Sequence, residues 1–572
     1  MKKRIIASML VFMMTMGCLT SACGQEATVN GTETEAEKAD TTETGSDEQV
    51  DEDTALALMQ EYNQGELQVT DDNYRTYYEV FVYSFYDSDG DGIGDLKGLE
   101  EKLDYINDGD DSTDTDLGCN GIWLMPIMPS TTYHKYDVTD YYDIDPEYGT
   151  LDDFKSLISA CHERDINVII DLVMNHTSSK NPWFTEAVSY LQGLADGAEP
   201  SEEECPYFGY YNFSKEKKGG YYAVPGTEWY YEAQFWSEMP DLNLGSEAVR
   251  AEFEAIVDFW LALGVDGFRL DAAKEFYSGA DEKNIEVLTW FNDMVEEKKE
   301  DAFIVAEVWN SMSVYSKYYE SGVSCFDFSF ADSDGVIANA IKRAGSADAT
   351  SYGRQIEAMQ SALGSYNEAY IDAPFYTNHD MARSAGYYSG DYSENQTKIA
   401  QAMNLLMSGS AFLYYGEELG MKGAGKDENK RAPMYWSTDA SAEGMCDGPK
   451  DMDSVKMKYG SFEEQQADGN SIYNYVKEVI RLRNQYPVLS HGTAVVETEV
   501  SNENICVLRK SYEGEEMLLI FNIAETGNTV DLSGITLSSE PEIGGMLLTT
   551  NEAAVLDGDS LSMPPYSVVI LK

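Results

Sequence analysis

Four short apolar runs in this chain each end in residues suited to acid–base or nucleophilic chemistry. They lead into Asp171-Leu-Val-Met-Asn175-His176, Gly267-Phe268-Arg269-Leu270-Asp271, Ala306-Glu307-Val308-Trp309 and Thr377-Asn378-His379-Asp380. A lone carboxylate at such a position is usually a solvated loop residue, but four ends of this kind in one chain call for a common cause. The chain has only 5 histidines, and His134, His176 and His379 all fall at such positions. Two carboxylates about 5 Å apart suit a retaining glycosidase, in which one attacks the anomeric carbon and the other protonates the leaving oxygen. The attacking group must be ionised. Arg269, two residues before Asp271 and so on the same strand face, would hold it charged. The acid must carry a proton, and neighbouring carboxylates that raise its pKa suit Glu307. Metal-assisted hydrolysis is the competing chemistry, but no His/Asp set here has zinc spacing.

A second acidic cluster has a different character. Asp87-Ser-Asp89-Gly-Asp91-Gly-Ile93-Gly-Asp95 alternates oxygen donors with glycines, the pattern a calcium loop requires. The expected ligands are Asp87, Asp89, Asp91, Ile93 (through its carbonyl) and Asp95. It is not an EF-hand, because Gly98 stands where the twelfth-position glutamate would be.

Positioning these residues requires a scaffold that brings strand ends together. Strand-like runs alternate with helix-like patterns, which predicts an α/β fold with a parallel sheet. The candidate strands are Glu79–Phe85, Gly121–Met125, Asn167–Val173, Val265–Leu270, Phe303–Ala306, Cys325–Phe328, Ala373–Tyr376 and Ala411–Tyr415. Eight of them predict a (β/α)8 TIM barrel, whose active site lies at the C-terminal strand ends. Thr150 with Asp153 reads as a helix cap ahead of Phe154, Leu157, Ile158 and Cys161. Ser246 reads as another, ahead of Val249, Phe253, Ile256, Val257 and Trp260, with a stop at Gly264. Between the third and fourth strands the chain is rich in Tyr, Gly and Ser, which predicts a loop-rich inserted subdomain over 177–240. The barrel would then occupy 67–176 and 241–487, and short alternating strands over 488–572 predict a C-terminal antiparallel β-sandwich.

Composition narrows the setting. Hydrophobic residues make up 43% and aromatics 12% of the chain, enough for a large core. Asp and Glu number 102 against 39 Lys and Arg, a formal charge of −63. Such a surface repels phosphate backbones and anionic lipid, so no nucleic-acid partner is expected. Lys2, Lys3 and Arg4 precede an apolar run too short to span a bilayer but matching a signal-peptide core. Leu19-Thr-Ser-Ala-Cys23 then resembles a bacterial lipoprotein processing site, so residues 1–22 are expected to be removed and Cys23 lipidated. The next stretch is strongly acidic, with almost nothing to bury, and predicts a disordered tether over 23–66. Cys18, after Gly17, is a weaker candidate for lipidation, and the remaining six of the eight cysteines are scattered, without metal spacing or a disulfide framework.

Taken together the motifs resemble the α-amylase family, glycoside hydrolase family 13. Asp171–His176, Gly267–Asp271, Glu307 and Asn378–Asp380 occur in its order over residues of about 75–490. Met239-Pro-Asp-Leu-Asn243 is similar to the group intermediate between oligo-1,6-glucosidases and neopullulanases. Tyr414-Tyr-Gly-Glu-Glu418 is also similar, with Ala411 where a proline is common. The resemblance implies Asp271 as nucleophile, Glu307 as acid/base and Asp380 as the residue gripping sugar hydroxyls. It implies that Arg269, His176 and His379 complete the subsite and that Tyr136 stacks on the same sugar. Ala272, following the nucleophile, matches members acting on α-1,4 links, and Lys274 matches the α-amylase pattern. Glu275 departs from it at the family's usual calcium site, to which Asn175 would contribute. Loops like Asp87–Asp95 occur in oligo-1,6-glucosidase-like members.

The expectation is a monomeric calcium-binding enzyme, either held on the outer face of a bacterial membrane only by its lipid or secreted, hydrolysing α-1,4 bonds of starch and maltooligosaccharides. α-Glucosidase, neopullulanase-like or transglucosylase action is the alternative. A silent glycan-binding protein is more remote, since all three carboxylates are present.

Overall fold

The computed structural model describes residues 54–68, 72–195, 197–345, 349–536 and 540–572. The expected leader, Cys23 and residues 24–53 of the expected tether lie outside the described residues. Residues 54–66, assigned to the tether, are instead folded. Thr54 Oγ1 accepts the Ala57 N–H and opens helix α1, Ala55–Tyr62. Its stripe of Ala55, Leu56 and Met59 is buried against the helix Ile472–Gln485 and the strand Ile543–Leu547. Asn63 then exchanges hydrogen bonds with the backbone of Met546 and donates to Glu478 Oε2 at 2.8 Å. The apolar stripe, not the acidity of what precedes it, decides where the fold begins.

The barrel strands are β1 (Thr76–Val80), β2 (Gly121–Leu124), β3 (Asn167–Leu172), β4 (Gly267–Leu270), β5 (Phe303–Ala306), β6 (Ser324–Cys325) and β7 (Ala411–Tyr414). They form one parallel sheet in the order β7-β1-β2-β3-β4-β5-β6. The run expected as a strand at Ala373–Tyr376 makes only two parallel bridges, Phe326 with Ala373 and Phe375 with Phe412. Those bridges close the ring between β6 and β7, so the architecture is a TIM barrel. The first strand also sits earlier than its apolar run. Val82–Ser84 is a 3-10 turn because the glycine loop folds back on it: a Cβ on Gly94 would lie 2.0 Å from the Val82 carbonyl oxygen.

Alternate residues of the strands fill the barrel interior. Tyr77, Trp123, Ile169, Phe303, Val305, Phe326, Phe375 and Phe412 pack there as one cluster. Tyr78, Ile122, Val168, Ile170 and Ile304, on the other face, join the larger core beneath the surrounding helices. Helix α2 (Leu151–His162) starts with the full capping box between Thr150 and Asp153 and buries the four expected residues. Helix α3 (Glu247–Ala262) buries its five, although Ser246 makes no side-chain cap, and Gly264 ends it in the left-handed region.

The segment after β3 holds a three-stranded antiparallel sheet, Phe213–Ser214, Tyr221–Ala223 and Tyr230–Glu232. Toward the C-terminus, Pro487–His491 is a helical turn, so the β-structure begins at Thr493, not at 488. It consists of a five-stranded and a three-stranded antiparallel sheet.

Candidate active site

Strand register places the polar residues of the barrel mouth. Asp171 on β3 pairs with Arg269 on β4, so both side chains point inward, and Asp271 repeats that direction two residues on. Glu307 follows β5 directly. Arg269 is fully buried and its guanidinium joins the set: Nη1 lies 2.8 Å from Asp271 Oδ1 and 2.8 Å from Asp171 Oδ2, and Nη2 lies 3.0 Å from Glu307 Oε2. One planar cation with a fixed fork therefore sets the spacing of the two expected catalytic carboxylates.

The other wall is built around His379. Its Nδ1 is 2.6 Å from Glu79 Oε1 on β1, and its Nε2 is 3.1 Å from Asp380 Oδ2 and 2.8 Å from the Tyr136 hydroxyl. The Tyr136 ring stacks on His379 with centroids 5.6 Å apart, and its hydroxyl donates to Asp171 at 3.0 Å. Arg431 Nη2 holds Asp380 Oδ1 at 2.8 Å. These nine side chains thus form one network with few free orientations.

Burial and charge divide the carboxyl groups. Burial is the main cause that raises Glu307, with Asp271 and Asp380 adding to it against Arg269. The neighbouring carboxylates, on which the sequence reading relied, rank behind both burial and the opposing charge of Arg269. Burial would also raise Asp380, but His379 and Arg431 hold it well below the usual carboxylate range. Burial lowers His379, yet Asp380 and Glu79 outweigh it and push the imidazole up to about 9. Buried Asp171 rises to about 7 despite its pairing with Arg269. Burial lowers His176, whose Nε2 is buried without a hydrogen-bond partner.

An open cleft of about 970 Å³ lies over these groups. Tyr136, His176, Asp271, Glu307 and Asp380 line it, as do Phe235, Trp309 and Arg431. Lys274 stands apart. It sits in the 3-10 turn after β4 and pairs with Asp281 at 3.3 Å. Three contributors escaped the sequence reading: Glu79, hidden inside an apolar strand; Arg431, in a loop beyond β7; and Phe235, at the rim of the inserted sheet. Only Glu79 carried a signal, as a charge in a run otherwise fit for the core.

In the acidic loop, one oxygen each of Asp87, Asp89 and Asp95 lie within 4.8 Å of one another. Asp91 falls outside that group, and its carboxylate accepts the Ile93 N–H at 2.8 Å. No lysine or arginine pairs with the three aspartates among the described residues. An all-oxygen set without a counter-charge fits a hard cation such as Ca2+.

Comparison with known proteins agrees with this geometry. Residues 79–492 match the family model described as the α-amylase catalytic domain. The chain is 36% identical over 500 residues to Alpha-amylase 3 of Dictyoglomus thermophilum, covering 87% of this chain and 92% of that one. Among solved structures, Eubacterium rectale Amy13B is 51% identical with a TM-score of 0.85, over 90% of this chain and 98% of its own. An α-amylase from H. orenii is 35% identical with a TM-score of 0.75, over 87% and 99%. With its barrel, its carboxylate set and these likenesses, the chain belongs to the α-amylase family of glycoside hydrolases.

Proposed function

We propose that the protein is an α-amylase that cleaves α-1,4-glucosidic bonds of starch and maltooligosaccharides with retention of anomeric configuration. Asp271 is the nucleophile, Glu307 the acid/base, and Asp380 the clamp on sugar hydroxyls. The observation that carries this is the guanidinium of Arg269, which holds Asp271 and Glu307 through two different nitrogens. Arg269 occupies Asp271 Oδ1, which leaves Oδ2 to attack the anomeric carbon. Glu307, raised by burial, gives its proton to the departing glycosidic oxygen. In the second half-reaction the Glu307 carboxylate takes a proton from water, which attacks the same carbon and frees Asp271. Asp380, held ionised, and neutral His176 are placed to accept and donate hydrogen bonds to ring hydroxyls, and Tyr136 offers its ring to the apolar sugar face.

Three finer readings accompany this one. The α-1,4 preference rests on Ala272, whose small side chain lines the cleft beside the nucleophile. Asp87, Asp89 and Asp95 would hold Ca2+, which would tie the loop after β1 together. The lipoprotein-like start through Cys23 supports a lipid-anchored enzyme at the outer face of the cell membrane, acting as a monomer on an α-glucan.

Incubation with soluble starch, maltoheptaose, pullulan and isomaltose, with products sized over time, tests the reading. Mixed short maltooligosaccharides with an early fall in viscosity are expected. Glucose as sole product, or cleavage of isomaltose alone, would replace it with an exo-acting glucosidase.

A further inference from the structure

His134 and Tyr136 both line the catalytic cleft, and the residue between them does not behave like a surface lysine. Lys135 is 2% exposed. Its ammonium lies 3.1 Å from Asp145 Oδ2, with both side chains almost fully buried, and it also pairs with Glu147. The ring of Tyr148 faces it at 5.3 Å. Taking an ammonium out of water is costly even when it is paired. The backbone adds a second cost. Lys135 has φ 63°, a left-handed conformation that glycine adopts freely and a residue with a Cβ does not. Both costs fall on one residue, and such strain persists only where the surroundings over-determine it.

The surroundings do so here. Asp145 is itself fixed. Its Oδ2 also accepts the Ser130 N–H at 3.0 Å, its Oδ1 accepts the Glu147 N–H at 3.0 Å, and its own N–H donates to the Ile127 carbonyl at 2.8 Å. On the other side of Tyr136, fully buried Asp137 gathers the hydroxyls of Ser130, Thr131, Thr132 and Ser178. The turn from Ser130 to Asp137 is thus pinned before Tyr136 by an ion pair and after it by a cage of hydroxyls. What it presents leaves little slack. The Tyr136 hydroxyl meets Asp171 at 3.0 Å, His379 Nε2 at 2.8 Å and Arg269 Nη1 at 3.3 Å. A shift of about 1 Å would break these contacts.

We propose that Lys135 is a positioning residue: drawn to Asp145, its buried ammonium holds the strained turn that aims the Tyr136 ring at the sugar in the catalytic cleft. It acts through the ring beside it, not on the sugar. The role in catalysis rests on the glucan reading above, whereas the placement of the ring does not.

The test is a double-mutant cycle on the full chain, Lys135→Met with Tyr136→Ala, read as kcat/KM on maltoheptaose. Methionine keeps an unbranched stem and removes the charge. Lys135→Met alone should lower kcat/KM at least tenfold, and should cost less than threefold where Tyr136→Ala has already removed the ring. A lysine that merely supported the fold would cost the same in both backgrounds. That result overturns the proposal, as does a single variant within twofold of the wild type. Should Lys135→Met fail to fold, Lys135→Gly carries the cycle with the same expectations, since glycine is at ease at φ 63°. A second readout needs no turnover. The chain has 5 histidines, so NMR signals of labelled imidazoles are few enough to assign, that of His379 through His379→Asn. The Tyr136 ring stacks on His379, so the His379 signal should move in the lysine variant, while that of His491, stacked on Tyr74 instead, should not. If the wild type cleaves no maltoheptaose, the glucan reading falls and this signal alone decides: a shifted His379 keeps the positioning role, and an unmoved one ends it.

Discussion

The backbone N–H of Ala272 donates to Glu307 Oε2 at 3.0 Å. Arg269 Nη2 approaches the same oxygen, also at 3.0 Å. Both donors fall on one side of the carboxyl group, so the proton belongs on Oε1, for which the described residues offer no hydrogen-bond partner. As the proposed acid, Glu307 is thereby aimed, while burial raises its pKa. The residue that aims it directly follows Asp271, the proposed nucleophile, in a left-handed conformation with φ 48°.

The pH profile should show this. The proposed mechanism requires Glu307 protonated, and burial raises its pKa above the ordinary value for glutamate. In the free enzyme, kcat/KM on a chromogenic maltoside should therefore hold through mildly acidic pH and fall as pH rises through that raised value. A high-pH limb at or below about 4.5, the ordinary range for glutamate, would contradict the assignment.

Backbone conformation at Ala272 gives a second expectation. A β-branched side chain at φ 48° is strained by roughly 1–2 kcal/mol. Ala272→Val should lower thermal stability and slow maltoheptaose hydrolysis by about tenfold as the N–H leaves Glu307, a loss of about 1.4 kcal/mol in transition-state stabilisation. Ala272→Gly, at ease in that region, should keep most of both. Equal loss in the two variants would mean that the methyl group, not the backbone, matters.

Much of this site was legible before the fold was known, for identifiable reasons. Asp171 and Arg269 sit near the ends of short apolar runs and Asp271 and Glu307 directly follow such runs, and a barrel turns adjacent strand ends into one mouth. The capping pair Thr150 and Asp153 is local chemistry and reads directly. Arg431 could not be found this way. It reaches Asp380 from beyond β7, in a loop whose position depends on tertiary packing. Helix α1 was masked by the acidic run ahead of it, because eight residues with three buried side chains give too short a period to stand out. Ala373–Tyr376 reads as a strand because its run is apolar, but its place in the barrel takes only two bridges.

His379 links the site to stability. Its folded-state pKa of about 9 lies above the unfolded value near 6.5, through Asp380 and Glu79 acting against burial. Its contribution is fully present below about pH 6.5 and is lost as pH rises through about 9, with a span on the order of 3 kcal/mol. Denaturant titrations from pH 6 to pH 9.5 should show wild-type stability falling across that window. His379→Asn should start lower and fall less steeply. Parallel slopes would show that the proton sits elsewhere.

Calcium should act on stability more than on turnover. At a free concentration a hundredfold above Kd, a site present only in the folded state adds about 2.7 kcal/mol. Chelation should therefore lower Tm by several degrees, and Asp87→Asn should abolish the difference between calcium-loaded and chelated protein. Wild-type Tm indifferent to chelation would remove the ion from the loop.

The central claim is that Asp271 and Glu307 work as a retaining pair. It is tested most directly by proton NMR of the first products of maltoheptaose hydrolysis, recorded before mutarotation, for the wild type and for Glu307→Gln. The account predicts the α-anomer first from the wild type and a rate at least about a hundredfold lower in the variant. A β-anomer first, or a Glu307→Gln variant within a few-fold of wild type, would contradict it.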